Sequence, residues 1–199
     1  MGSIWWYSTR AAGLVAWGLL SASVIAGLLL SSRATGSRLR PNWLTDLHRG
    51  LSGLAVAFVG VHVVTVVADS YVHFGAADVL VPLASGWKPL AVAWGIVSMY
   101  LLVAVEATSL LRRRLTKRQW RAVHVLSFPL FLSATAHGIT AGTELGTLGG
   151  TIAALVVAAT VAGLTTYRVL DARERARHAP EPRVPPRPTG DLVGAGSGR

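Results

Sequence analysis

Six histidines stand in this sequence, and four of them form two spaced sets: His48 and His62, 14 residues apart, and His124 and His137, 13 apart. All four fall inside long apolar runs. An ionisable side chain in hydrocarbon is expensive and marks a functional position by default. A lone intramembrane histidine is commonly an interhelical hydrogen bond. Two sets on two segments point further, to imidazole nitrogens gathered as metal ligands. The chain has no cysteine, which excludes disulfides, iron–sulfur clusters, thiolate zinc sites and a covalent C-x-x-C-H haem attachment. Any metal site must therefore use histidine, carboxylate or backbone.

These residues need elements to hold them. Of the 199 residues 52% are apolar and 14% charged, against ~25% charged in an ordinary soluble domain, so the solvent of this chain is mostly lipid. Five apolar segments approach the ~20 residues that a hydrocarbon core requires. They run from about Ala11 to Ser32, Leu44 to Ala68, Leu90 to Leu111, Gln119 to Ala141 and Leu148 to Leu170. In lipid each must be a helix, because no water satisfies an open backbone. The expected fold is all-α, an integral membrane bundle of about five transmembrane helices. Trp5, Trp6, Tyr7, Trp43, Trp87 and Trp120 fall near segment ends, where amphipathic rings anchor at the interface. The first run is too long for a cleaved signal peptide, and only Arg10 precedes it as a basic residue.

A net charge of +10 invites a nucleic-acid reading, but the basic residues sit in short loops and a tail. Arg33, Arg38, Arg40 and Arg49 lie between or beside spans one and two. Arg112, Arg113, Arg114, Lys117, Arg118 and Arg121 lie between spans three and four, and Arg168, Arg173, Arg175 and Arg177 end span five. The other two loops hold only Lys88. By the positive-inside rule the basic loops and C-terminus are cytoplasmic and the N-terminus is outside the cell membrane. Residues 171–199, rich in Pro, Arg and Gly, read as a disordered cytoplasmic tail. Gly194, Gly196 and Gly198 lack the strand and helix that a nucleotide-binding turn needs.

With this topology spans two and four run parallel. His48 and His124 each lie a few residues into their spans, and His62 and His137 lie ~21 Å and ~19.5 Å further along. His48 then faces His124 near the inner side, and His62 faces His137 near the outer side. Each pair suits a bis-imidazole clamp on one haem iron, a coordination with no open position for oxygen and so fitted to electron transfer. A step of 13 residues on a regular helix misses the starting face by ~140°, and Pro129 between His124 and His137 is the candidate for rewinding it.

Leu47-His48-Arg49 through Val61-His62-Val63, with Trp120-Arg121-Ala122-Val123-His124 through Ala136-His137-Gly138, resembles the ferric reductase-like transmembrane domain. That superfamily includes ferric reductases, NADPH oxidases and the haem subunit of a periplasmic methionine sulfoxide reductase system. The likeness covers roughly residues 5–170 and implies two stacked b-type haems on the four histidines. Residues 1–170 would be the haem-binding membrane domain. The fused reductases continue into a cytoplasmic flavin and nicotinamide domain where this sequence has only the short tail, and many members have six spans.

Other residues carry two readings each. Arg10 suits an outer haem propionate or an interface snorkel. Arg49 and Arg121 could meet inner propionates, or serve topology alone. Glu106 could pair with arginines or relay protons to a quinone. Asp69, His73 and Asp78 read as a solvated outer loop rather than a metal cage. Gly138 and Gly142 let a helix or a haem approach closely.

The leading function is transmembrane electron transfer through two haems, as the membrane subunit of an oxidoreductase. The donor would be a cytoplasmic flavoprotein or a quinol, and the acceptor external: ferric iron, a flavoprotein or a reductase partner. Bound flavin or quinone is compatible with this. The alternative is a haem-free membrane scaffold or helper whose histidines bridge helices.

Overall fold

A computed structural model describes residues 2–32, 41–69 and 72–178. Among them are seven α-helices and no strand: α1 Gly2–Ser32, α2 Pro41–Ala68, α3 Ala76–Leu80, α4 Pro89–Leu110, α5 Lys117–His124, α6 Ser127–Thr140 and α7 Leu148–Arg177. Five stretches are long and apolar enough to cross a membrane: α1, α2, α4, the α5–α6 pair and α7. The molecule is an all-α, multi-pass membrane bundle. Arg33, Arg38 and Arg40 lie outside the described residues.

Three boundaries differ from the expected spans. Helix α1 begins at Gly2, a full two turns before Ala11, because the residues from Ile4 to Tyr7 continue the apolar run. Helix α7 continues past Leu170 to Arg177, with an Arg175–Asp171 ion pair one turn apart on its surface. The rest of the expected tail, from 179 to 199, lies outside the described residues. The fourth span is two helices, α5 and α6.

That last break follows from Pro129. Proline has no N–H, and its ring crowds the carbonyl four residues back, here that of Val125. The chain turns at Val125 and Leu126, and the Val125 carbonyl accepts from Phe128 N at 3.1 Å instead. Leu126 N likewise reaches back three residues, to Val123 O at 2.9 Å. Tighter turns of this kind advance more than ~100° per residue, which rewinds the face. Helix α5 is started by Thr116, whose hydroxyl accepts from Gln119 N while the Gln119 side chain returns to Thr116 N.

Helix α1 is the centre of the bundle. It packs extensively along α2 and also meets α6 and α7, while α4 packs on α6. Val24 and Leu28 of α1, Phe131 of α6 and Val161 of α7 form a buried cluster. Trp17 Nε1 donates to Thr135 Oγ1 at 3.0 Å, tying α1 to α6, and Ser133 Oγ donates to the Trp94 carbonyl at 2.7 Å, tying α6 to α4. Helix α2 has no comparable packing against α5–α6. It is held opposite them by α1, and the histidines reach across the space between.

Candidate functional site

The structure brings the four intramembrane histidines together in two pairs. His48 and His124 have ring centroids 6.1 Å apart with planes at 78°. His62 and His137 have centroids 6.1 Å apart with planes at 79°. Equal separations at both levels mean that the turn at Val125–Leu126 makes up the mismatch between a 14- and a 13-residue step. They also require α2 and α5–α6 to run parallel.

Each ring is aimed by its neighbours. His62 Nδ1 donates to the Thr9 carbonyl at 2.9 Å, and His137 Nδ1 to the Ala91 carbonyl at 2.8 Å. His48 Nδ1 donates to the Ser23 carbonyl at 2.9 Å, with the Ser23 hydroxyl 3.0 Å away and in turn 2.8 Å from Ser52 Oγ. A carbonyl only accepts, so each bond protonates Nδ1 and leaves the Nε2 lone pair free. A metal-ligating histidine needs that tautomer.

One small device recurs behind these three rings. The carbonyl belongs to residue i of a helix, and residue i+4 is glycine: Thr9 with Gly13, Ser23 with Gly27, Ala91 with Gly95. A Cβ on Gly13 would lie 2.9 Å from His62 Nδ1, and one on Gly95 2.8 Å from His137 Nδ1. A Cβ on Gly27 would lie 3.2 Å from His48 Cε1. Missing side chains thus let each imidazole reach a helix carbonyl that is already bonded within its own helix. Because α1 is antiparallel to α2, the 14-residue step from Gly13 to Gly27 matches that from His48 to His62.

His124 is held differently. Its Nδ1 is buried without a hydrogen-bond partner. Its ring instead stacks on Trp120, with centroids 4.6 Å apart and planes at 23°, and Arg112 Cζ lies 4.5 Å over the indole. Trp120 Nε1 is also a buried donor without a partner. Orphans of this kind cost about 1–3 kcal/mol unless a bound group satisfies them.

A cavity of about 270 Å³ surrounds the His62–His137 pair, with mostly apolar walls from α1, α2, α4 and α6. Trp6, Arg10, Asp69 and Glu144 also line it. Arg10 forms an ion pair with Glu144 and lies 5.5 Å over the Trp6 ring, so it is neither a free snorkel nor a free propionate partner here. Arg49 and Arg121 are exposed. Glu106 has no ion pair among the described residues. The expected solvated loop is only partly so: Asp69 is buried, whereas Asp78 Oδ2 accepts from Gly75 N at 2.8 Å to start α3. Gly138 makes room for Leu145 of the following loop as well as lining the cavity.

The residues fit a haem. An imidazole nitrogen bonds a metal at about 2 Å with its ring centroid about 1 Å further back, so two trans ligands have centroids about 6 Å apart. Among the described residues no group of three or more His, Cys, Asp or Glu could hold a metal ion. Two imidazoles alone suit an iron that carries its own equatorial nitrogens.

Sequence comparison adds an independent finding: the family model for "Ferric reductase like transmembrane component" matches residues 12–135. Neither the curated proteins nor the solved structures give a match.

Proposed function

This chain belongs to the ferric reductase-like transmembrane family, and we propose that it carries electrons across its membrane through two b-type haems, one on His48 and His124 and one on His62 and His137. The family supports transmembrane electron transfer in general. The observation that carries the two-haem reading is the pair of 6.1 Å ring separations, each matched to one bis-imidazole iron. A haem held by two of these histidines would supply one-electron redox chemistry.

The protein's own part is positional. The Thr9, Ser23 and Ala91 carbonyls hold three rings in the ligating tautomer and raise their basicity. The cavity walls around the His62–His137 pair are mostly apolar, which disfavours water there. The two sites are separated by ~21 Å along α2. The basic loops put His48 and His124 on the cytoplasmic side, where a flavoprotein or quinol delivers the electron, and His62 and His137 on the outer side, facing an external acceptor such as ferric iron, a flavoprotein or a reductase partner. An inside-negative potential assists electrons moving outward, by ~2.3 kcal/mol per 100 mV for a full crossing.

An absorbance spectrum of the purified protein, followed by acid–organic extraction, tests the reading. Two extractable haems per chain are expected. A colourless protein would favour a haem-free scaffold, and one haem per chain would leave one pair as a structural contact. Reporters fused after Arg177 and near Ala77 test the orientation, with opposite sides of the membrane expected.

A further inference from the structure

We infer that Trp120 is the positioning residue for His124, holding by face-to-face stacking the ring that the other three histidines have held by a backbone carbonyl. The inference rests on the two-haem reading and concerns the one ligand that reading leaves without a partner.

Helix α4 shows why that partner is missing. It supplies His137 with Ala91 and Gly95. Fourteen residues on, at the spacing that separates the two devices of α1, the same face of α4 carries Val105 and Ser109. Serine replaces glycine, and its hydroxyl already donates to the Val105 carbonyl at 2.7 Å. The Thr108 hydroxyl donates to the same carbonyl at 3.1 Å, so it is already occupied, and no glycine stands beside it.

Trp120 precedes His124 by one helical turn, so their side chains overlie each other on α5. The near-parallel planes put the indole flat against the imidazole. Arg112, from the turn at Arg112–Arg114, also lies over the indole, its Cζ 4.5 Å from the ring centroid. A stack fixes the plane of the ring but donates and accepts no proton, so His124 gains orientation without the added basicity that a carbonyl gives. An iron held by His48 and His124 would therefore have one hydrogen-bonded ligand and one oriented only by contact.

Carbon monoxide reads this directly, since it binds ferrous haem only where an axial position is free. The test uses the full chain in the His62→Leu/His137→Leu background, so that only the inner haem remains, and in the otherwise wild-type chain, where the outer haem reports folding. Trp120→Ala is expected to release His124, giving an inner haem that either binds carbon monoxide or is lost, while the outer haem stays in place and inert. Trp120→Phe keeps an aromatic face without an indole N–H and is expected to restore the inert inner haem. An inner haem that stays inert in Trp120→Ala would overturn the inference, as would Trp120→Phe behaving like Trp120→Ala. Absence of haem from the wild-type protein would instead sink the two-haem reading itself.

Discussion

The His62–His137 pair and the His48–His124 pair have the same ring separation but are built by different means. Both rings of the first are fixed by helix carbonyls reached across glycines of α1 and α4. The second has one such ring, His48, and one ring laid against Trp120. The contrast separates two requirements that a metal site usually meets together. Geometry can be set by any rigid neighbour, whereas ligand basicity needs a hydrogen-bond acceptor on the far nitrogen. A more basic ligand favours ferric iron. The His48–His124 site, with one carbonyl fewer and Arg112 nearby, is therefore expected to have the higher reduction potential.

The two-level arrangement fails most visibly if the pairs are not pairs. His48→Leu and His124→Leu should each remove the same haem, and the double variant should match either single one, because two ligands of one iron act as a unit. His62→Leu and His137→Leu should behave likewise for the other haem. Combining His48→Leu with His137→Leu should leave none. Spectra in which that cross-combination retains one haem would mean the ligands are shared otherwise, and the two levels would lose their meaning.

Glycine substitutions probe the carbonyl devices one at a time and should give intermediate effects. A Cβ at Gly95 or Gly13 intrudes to 2.8 or 2.9 Å on a ring nitrogen, so the ring must move off its carbonyl. Gly95→Ala and Gly13→Ala should each lower occupancy of the His62–His137 site by about 10–100-fold in haem affinity, as loss of an outer-shell partner does. At Gly27 the nearest approach is 3.2 Å, to a ring carbon, so Gly27→Ala should weaken the other site less. Gly18 on the same helix has nothing within 4 Å of its would-be Cβ, and Gly18→Ala should change neither haem. Haem titration of the four variants ranks them, and equal losses in all four would mean that the close approach of the ring does not set occupancy.

The sequence exposed the histidines well because polar residues in lipid are few. Two sets of two at matching depths leave little choice of partner once the basic loops set the direction of each span. The glycines that admit the rings were harder to see. Glycine is common in membrane helices, and Gly13, Gly27 and Gly95 gain meaning only when α1 and α4 are known to lie antiparallel beside the histidine helices. Arg10 illustrates a second limit: its partner, Glu144, sits in the connection between α6 and α7, and no local pattern joins them. Trp120 shows a third. A tryptophan at a span end reads as an interface anchor, yet its indole is turned inward onto His124. Pro129 signals the break at Val125–Leu126, though only the fold shows how the tighter turns bring His137 back into line.

The difference between the two pairs can itself be removed. Ser109 stands where the repeat of the α4 device would need glycine, and its hydroxyl occupies the Val105 carbonyl. The Thr108 hydroxyl also donates to that carbonyl, at 3.1 Å, so Thr108→Val/Ser109→Gly should free it and clear the approach, letting His124 Nδ1 donate to it. The inner site would then have two hydrogen-bonded imidazoles, like its partner. One such bond is worth ~0.5–1.5 kcal/mol, which corresponds to a potential roughly 20–60 mV more negative. Thr108→Val/Ser109→Ala frees the same carbonyl but keeps a Cβ in the path, as a Cβ at Gly95 would block His137. It should leave the potential where it is. Spectroelectrochemical titration in the background without the second haem resolves the difference. Equal shifts in both variants would mean that loss of the hydroxyl dipole acts on the iron directly. No shift in either would mean that the stack on Trp120 holds His124 too firmly to turn toward α4.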